Sequence, residues 1–184
     1  MRHGASAGPT EEKGSFEPLV TFLVLRLNSS SINFRSMAKS DSIQKGSEVS
    51  FRKTVTEDDI NQFAQLSGDF APNHVDEAFM KKSAYGKRIA HGALLIAYTS
   101  QASSQIIEEF AATEENATPI SLGYDRIRFI KPVFIDDEIT VRYIVESYDT
   151  EAARSYAKIE IMNQDDQLVA VATHIMKWVP NTKA

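Results

Sequence analysis

Two carboxylates and a histidine lie within eight residues of one another in the stretch LSGDFAPNHVDEAF, Leu66 to Phe79. Asp69 and His74 are separated by Phe-Ala-Pro-Asn, and Pro72 restricts the backbone between them, so both side chains can converge on one side. A carboxylate and an imidazole held together can position a water molecule and share proton transfer, one as base and the other as acid. The pair therefore indicates general acid–base chemistry.

The same stretch also fits a purely structural interpretation. Asp, Asn, Pro and Gly dominate turns because they satisfy backbone groups and supply unusual dihedral angles. In that interpretation Asp69 stabilises a turn, Asp76 caps the helix that follows, and His74 is exposed. The loop alone leaves both interpretations open.

A second candidate feature is the segment HGALLIAYTS, in which His91 and Gly92 open an apolar helix. The first backbone N–H groups of a helix have no partner within it and lie at the positive end of its dipole, which suits a developing oxyanion. We expect His91 to support the neighbouring loop through a hydrogen bond.

Other chemistries find less support. Metal ligands of acceptable type are present, but their spacing matches neither HExxH nor a comparable motif, so we predict no metal. The chain has no cysteine, which excludes disulfides, thiolate zinc sites and a cysteine nucleophile. Neither a G-x-S-x-G elbow nor a glycine-rich nucleotide loop is present. The residues weighed as metal ligands are Asp69, His74, Asp76 and His91.

Composition and charge set the broader class. With 42% hydrophobic and 24% charged residues, the 184-residue chain suits one globular domain. A net charge of -5 argues against nucleic-acid binding, and no apolar run approaches the ~18 residues that span a bilayer. We therefore expect a cytoplasmic protein without a membrane partner. Residues 1–45 are rich in Ser and Gly without periodicity and are predicted to be a poorly ordered extension before a domain at 46–184.

Hydrophobic periodicity predicts the order of the elements. A first strand is followed by a helix that Thr56 caps and Gly68 ends, then by a short helix between Asp76 and Gly86. The long helix from His91 comes next, with its first two turns expected to be buried all round, and four strands follow Pro119. Strands grouped after helices predict an α+β fold in which an antiparallel sheet of about five strands wraps one long helix.

Three segments together resemble the MaoC-like (R)-specific enoyl-CoA hydratase family, also called hydratase 2. They are LSGDFAPNHVDEAF, GKRIAHGALLIAYTSQ and YDRIRFIKPVFIDDEITV, and the resemblance covers about residues 48–179. It implies the hot-dog fold. The family pattern around the first segment is S/T-G-D-x-N-P-aliphatic-H, with an Asp two residues later. Ala71 stands where Asn is usual and Asn73 where an aliphatic residue is usual, whereas five positions match: Gly68, Asp69, Pro72, His74 and Asp76.

The resemblance also implies roles. Asp69 and His74 would form the catalytic dyad, the Gly92 N–H would help form an oxyanion hole, and Ser100 would support the dyad. The implied reaction is the hydration of a trans-2-enoyl thioester to an (R)-3-hydroxyacyl thioester, or the reverse dehydration, in fatty acid metabolism. The substrate would be carried by coenzyme A or an acyl carrier protein, with no further cofactor, and the protein would be a homodimer.

Two alternatives remain open at this point: a hot-dog acyl-CoA thioesterase, and a non-catalytic acyl-CoA-binding hot-dog domain. Residues that bind the substrate are not predicted. Arg126, Arg128 and Lys131 could meet coenzyme A phosphates, although solvated charges on a strand face are the commoner arrangement.

Overall fold

The computed structural model describes residues 43–110 and 117–181. The extension predicted over residues 1–45 lies almost wholly outside these segments, and the domain bounds at 46–184 stay a prediction.

One antiparallel sheet of five strands forms the frame of the described chain, in the order β1-β3-β4-β5-β2. Each neighbouring pair is antiparallel. β1 and β2 are therefore the edges, and β3, β4 and β5 supply the centre. The strands are β1 (Glu48–Thr54), β2 (Ala117–Phe129), β3 (Glu138–Asp149), β4 (Arg154–Met162) and β5 (Leu168–Pro180).

Buried and more exposed side chains alternate along the central strands, as the sequence predicted. In β4, Ile159 and Ile161 are fully buried, while Lys158 and Glu160 point to the other face and form an ion pair. Because successive side chains of a strand point to opposite faces, this alternation places one apolar face against the core. The predicted α+β class and five-stranded sheet are confirmed.

The first helix, α1 (Glu57–Ser67), has the ends that its sequence predicts. The Thr56 hydroxyl accepts from the Asp59 N–H, and the Asp59 carboxylate accepts from the Thr56 N–H, which is a capping box. Gly68 ends the helix with a left-handed φ of 79°.

The segment after α1 is more helical than predicted. An additional turn, α2 (Pro72–Val75), begins at Pro72, whose fixed φ and missing N–H suit the first helical position. α3 (Glu77–Met80) then starts after Asp76, whose carboxylate accepts from the Phe79 N–H. The predicted helix up to Gly86 is thus one turn long.

The long helix, α4 (Gly92–Phe110), packs against β1 and β3. Its buried face carries Leu94, Leu95, Thr99, Ala102 and Ile106. The expectation that its first two turns are buried all round is wrong, because Ala93 and Ala97 are exposed. A helix on one face of a sheet keeps an outer face, and alanines place little apolar area there.

β2 extends across Pro119 instead of starting after it. Proline cannot donate to a sheet ladder, but an edge strand has one side without a ladder partner and tolerates it. None of the helices in the described segments has the length and apolar character needed to cross a bilayer.

His174 on β5 is fully buried. Its Nδ1 lies 2.8 Å from the Tyr143 hydroxyl and its Nε2 lies 2.8 Å from the Ser121 hydroxyl, while Tyr124 stacks on the ring. Burial lowers the pKa of His174 to about 4. His174 is therefore a buried, hydrogen-bonded residue of the sheet.

We expect His174 to make the folded state sensitive to acid. Its pKa is about 4 when folded and about 6.5 when unfolded, so its neutral form contributes stability above pH 6.5 that is lost as the pH falls toward 4. The loss amounts to about 3 kcal/mol at most. Urea unfolding at pH 7 and pH 4.5 should show a smaller pH-dependent loss in His174→Gln than in the native protein.

The native protein must be compared with His174→Gln, because burial also lowers the pKa of His91. His91 therefore also contributes to the loss of stability in acid, in both proteins. Equal losses in both proteins would contradict the assignment to His174.

Candidate active site

Asp69 follows the glycine that ends α1 and is held by a turn of its own making. One carboxylate oxygen, Oδ1, accepts from the Ala71 N–H at 3.2 Å, and the Asp69 N–H donates to the Ser67 hydroxyl at 3.2 Å. The residue is exposed. One carboxylate oxygen of Asp69 thus stabilises the turn, and the second oxygen stays available for other contacts.

His74 lies on α2 and is only 8% exposed, unlike the exposed histidine of the structural interpretation. Its Nδ1 lies 2.8 Å from the Ile89 carbonyl, so Nδ1–H donates. In the neutral ring Nε2 then carries the lone pair, and the Asn73 amide Nδ2 lies 2.9 Å from it. The protein therefore selects one tautomer and leaves Nε2 as the nitrogen that can take up a proton.

His91 joins the loop to the start of α4. Its Nε2–H donates to the Asp69 carbonyl at 3.0 Å, and its ring stacks on His74 with centroids 3.8 Å apart. Burial lowers the pKa of His91, although the hydrogen bond to the Asp69 backbone opposes that shift. His91 is neutral at pH 7 and contacts the loop by the kind of hydrogen bond expected from the sequence.

Gly92 is the first residue of α4, and within the described segments its N–H has no hydrogen-bond acceptor. It lines a cavity of about 260 Å³ together with His74 and Leu95. The N–H at the positive end of the helix and the His74 ring thus face one space, as an oxyanion site beside an acid–base group would require. The other lining residues are Tyr85, Ile89, Ala90, Phe129, Ile130, Lys131, Pro132 and Val133.

Glycine is needed at position 92 because Phe129 covers it. A Cβ built on Gly92 would lie 2.5 Å from the Phe129 ring, well inside normal contact distance. The aromatic ring forms a wall of the cavity directly beside the free N–H.

Ser100 lies eight residues beyond Gly92, which is about 12 Å along the helix. Its side chain is exposed, and its carbonyl accepts from the hydroxyls of Ser103 and Ser104. Within the described segments the Ser100 side chain forms no hydrogen bond with Asp69 or His74, and its supporting role stays a prediction.

Two contributors to the site are not indicated by any sequence motif. Ile89 uses only its backbone: its carbonyl accepts from His74 and its N–H donates to the Asn73 carbonyl at 3.1 Å. Arg88 is buried behind this segment and forms ion pairs with Glu57 and Glu77. These ion pairs connect the segment before α4 to the first residues of α1 and α3.

Asp69, His74 and His91 could also be considered as metal ligands, because one ligand atom of each lies within 4.8 Å of the others. Zinc ligands converge on one point about 2.0–2.2 Å from each N or O atom. Here the imidazole planes are stacked at 25°, so their in-plane lone pairs run side by side instead of converging. This geometry favours the acid–base interpretation.

A larger cavity of about 490 Å³ lies between β1 and the second half of α4. Its walls carry Glu48, Glu108 and Glu109, which would repel an anionic ligand, and it holds neither histidine. We therefore place the candidate site at the smaller cavity.

An antiparallel sheet packed against one long helix is the hot-dog fold. Here the loop with the acid–base residues lies at the start of that helix. The chain belongs to the family described as MaoC like domain, which matches residues 39–164. The predicted family is thereby confirmed.

Curated relatives include Protein MaoC of Klebsiella aerogenes, 34% identical over 118 residues, and the (R)-specific enoyl-CoA hydratase of Rhodospirillum rubrum, 31% identical over 105 residues. These alignments cover 62% and 57% of this chain, respectively. The chain spans 32% of the Klebsiella protein and 67% of the Rhodospirillum hydratase. Among solved structures, the (R)-hydratase from A. caviae involved in PHA biosynthesis matches with a TM-score of 0.67 and 27% identity, covering 77% of this chain and all of that one.

We expect Gly92→Ala to destabilise the protein through Phe129. Gly92 has no left-handed backbone, so alanine fits its conformation, but the new methyl group meets the ring. Overpacking of this kind costs about 1–3 kcal/mol, and the half-exposed ring can relieve part of it by moving. Urea unfolding of Gly92→Ala, Phe129→Ala and the double variant measures the effect.

In the double variant the clash is gone, so its loss of stability should be smaller than the sum of the two single losses. Additive losses would show that the Phe129 ring is not the reason why glycine is needed at position 92.

Proposed function

We propose that this protein is a hydro-lyase that adds water to a trans-2-enoyl thioester, giving an (R)-3-hydroxyacyl thioester, or catalyses the reverse dehydration. The observation that carries the proposal is that His74 and Gly92, whose N–H is free, line one cavity, and that an Asp69 carboxylate oxygen lies within 4.8 Å of a nitrogen of His74 and of a nitrogen of His91. The names of the Rhodospirillum and A. caviae relatives support the same reaction.

The chemistry fits these groups. Conjugation with the thioester carbonyl makes C3 of the substrate electrophilic, so the water oxygen bonds to C3. The electrons of the double bond move toward the carbonyl oxygen, where the Gly92 N–H and the helix dipole stabilise the negative charge. A proton leaves the water for the dyad and a proton from the dyad is added at C2, so the product differs from the substrate by one water molecule.

The tautomer of His74 bears on the direction of proton flow. Because Nδ1–H donates to Ile89, Nε2 of the free enzyme is an acceptor. Nε2 can therefore take the proton from water, and the dyad returns a proton to C2. All bond changes are proton transfers and addition, so the thioester itself supplies the electrophile and no further cofactor is required.

The carrier of the acyl group would place its phosphates near the cavity mouth. Of the three basic residues considered from the sequence, Lys131 lines the cavity, and its ammonium donates to Gln167 at 2.8 Å. Coenzyme A and the phosphopantetheine of an acyl carrier protein share this phosphate chemistry.

We expect Asp69→Asn and His74→Gln each to lower kcat by about 10²–10⁴-fold, since each removes a positioned acid–base group. The measurement is the loss of enoyl absorbance of crotonyl-CoA and of longer enoyl-CoA substrates, with chiral analysis of the product. Asp76→Asn is the matched control, because Asp76 lies in the same stretch but caps α3, a role that asparagine also fills.

Unchanged enoyl absorbance with every substrate in the native protein would refute the hydratase. Release of free thiol from a saturated acyl-CoA would favour the thioesterase alternative, and ligand binding without any turnover would favour the non-catalytic domain.

We further propose that the protein is a homodimer that associates through β2. Both edge strands carry charged side chains, among them Glu48 and Arg52 on β1 and Asp125 and Arg128 on β2, but β1 exposes no large apolar side chain. β2 instead exposes Ile120 and Leu122, at 41% and 46% of their surface, and Phe129 lies further along the strand. A second copy that covers this strand would bury apolar area now in water.

We expect Leu122→Lys to convert the dimer to a monomer, because it buries an unpaired charge in the proposed interface. Sedimentation velocity measures the change. Ser50→Lys, an exposed position on β1, is the control and should leave the dimer intact. A dimer that survives Leu122→Lys but not Ser50→Lys would assign the interface to the other edge.

A further inference from the structure

Phe129 brings an aromatic ring to the start of α4. The three atoms that a Cβ on Gly92 would approach most closely all belong to this ring, and the nearest of them, Cε2, would be 2.5 Å away. Because a Cβ lies about 2.5 Å from the amide nitrogen of its own residue, the ring reaches to within about 5 Å of the Gly92 nitrogen. The ring is 53% exposed and lines the cavity, so it presents an open apolar surface beside the free N–H.

A bulge in β2 turns the ring toward the helix. Tyr124 pairs with His174 and Phe129 pairs with Ala170, and both partners are fully buried. Paired side chains share a face of the sheet, although in a regular strand two residues five positions apart point to opposite faces. The register shift after Asp125 adds one residue to β2 and corrects this mismatch. Without the extra residue, Phe129 would point away from the cavity.

The backbone that follows Phe129 is fixed to β5. The Ile130 N–H and the Lys131 N–H both donate to the Val169 carbonyl, at 2.8 and 3.3 Å. The strand therefore does not retreat from a bulky ligand, and only rotation of the Phe129 side chain can make room for one.

We propose that Phe129 is a specificity-determining residue that disfavours acyl thioesters branched at C2; this rests on the hydratase function proposed above. A carbonyl oxygen bound by the Gly92 N–H lies about 2.7–3.1 Å from that nitrogen, and C2 is two bonds from this oxygen. The part of the acyl group that comes close to the ring is therefore its carbonyl end. An unbranched enoyl group is flat at C2 and carries one hydrogen there, whereas a methyl group on C2 adds volume where the ring already lies.

Three saturated five-carbon isomers test the inference without turnover. Valeryl-CoA is unbranched, isovaleryl-CoA is branched at C3, and 2-methylbutyryl-CoA is branched at C2. One methylene group in an apolar pocket changes discrimination by about 10- to 200-fold, and a half-exposed ring belongs at the lower end. We expect the native protein to bind the C2-branched isomer about 10-fold more weakly than the other two, and Phe129→Ala to reduce this ratio to about twofold or less. Isothermal titration calorimetry measures the affinities.

Turnover gives the second readout. The ratio of kcat/KM for trans-2-pentenoyl-CoA to that for its isomer trans-2-methyl-2-butenoyl-CoA should fall about 10-fold in Phe129→Ala, because the methyl group on C2 no longer meets the ring. The products are separated by chiral analysis.

Ile130→Ala is the matched control. Ile130 is the next residue, is also half exposed and lines the same cavity, but its side chain is not among the three atoms nearest to a Cβ on Gly92. Its truncation should change the affinities of the three isomers by similar factors and keep their ratio. Phe129→Leu should give an intermediate ratio, and it decides the question if Phe129→Ala does not fold.

Equal binding of the three isomers by the native protein, an unchanged ratio in both Phe129 variants, or the same change of ratio in Ile130→Ala would overturn the inference. So would a native protein that binds none of the three. Discrimination that depends on Phe129 without hydration of any enoyl thioester would refute the proposed hydratase alone, and it would keep Phe129 as the wall of an acyl thioester site.

Discussion

The site depends on three hydrogen bonds that join the loop after α1 to the segment that leads into α4. His74 Nδ1–H donates to the Ile89 carbonyl, the Ile89 N–H donates to the Asn73 carbonyl, and His91 Nε2–H donates to the Asp69 carbonyl. Losing one partner of a buried hydrogen bond costs about 1–3 kcal/mol, so the three together resist separation of loop and helix. They fix the acid–base pair relative to the free N–H of Gly92.

Burial gives the two stacked imidazoles different tasks. His91 is almost completely enclosed and burial lowers its pKa, so His91 places no positive charge beside His74 at neutral pH. In the proposed reaction we therefore assign proton transfer to Asp69 and His74, and a supporting role to His91. Arg88 lies behind the same segment, and its charge is balanced by Glu57 and Glu77, which limits its field at the dyad.

Much of this fold could be predicted because its signals are local. The cap at Thr56, the left-handed Gly68 and the alternation of β4 each depend on residues a few positions apart. The contacts that build the site join residues 15 to 22 positions apart, and Ile89 contributes through its backbone alone. Any residue except proline supplies the same carbonyl and N–H, so the identity of Ile89 gives no signal. The sequence therefore indicated the dyad but not what orients it.

The two departures of this loop from the family pattern have different physical consequences. Ala71 supplies the N–H that holds Asp69 Oδ1, which any residue other than proline could do, but as the N-cap of α2 it has no side chain that accepts a hydrogen bond. That absence costs about 1 kcal/mol of helix stability and leaves the carboxylate in place. Asn73, in contrast, places its amide nitrogen 2.9 Å from Nε2 and 3.4 Å from Nδ1 of His74, which puts a polar group over the imidazole ring. An aliphatic side chain there would offer the ring no polar group, so position 73, more than position 71, changes the surroundings of the acid–base histidine.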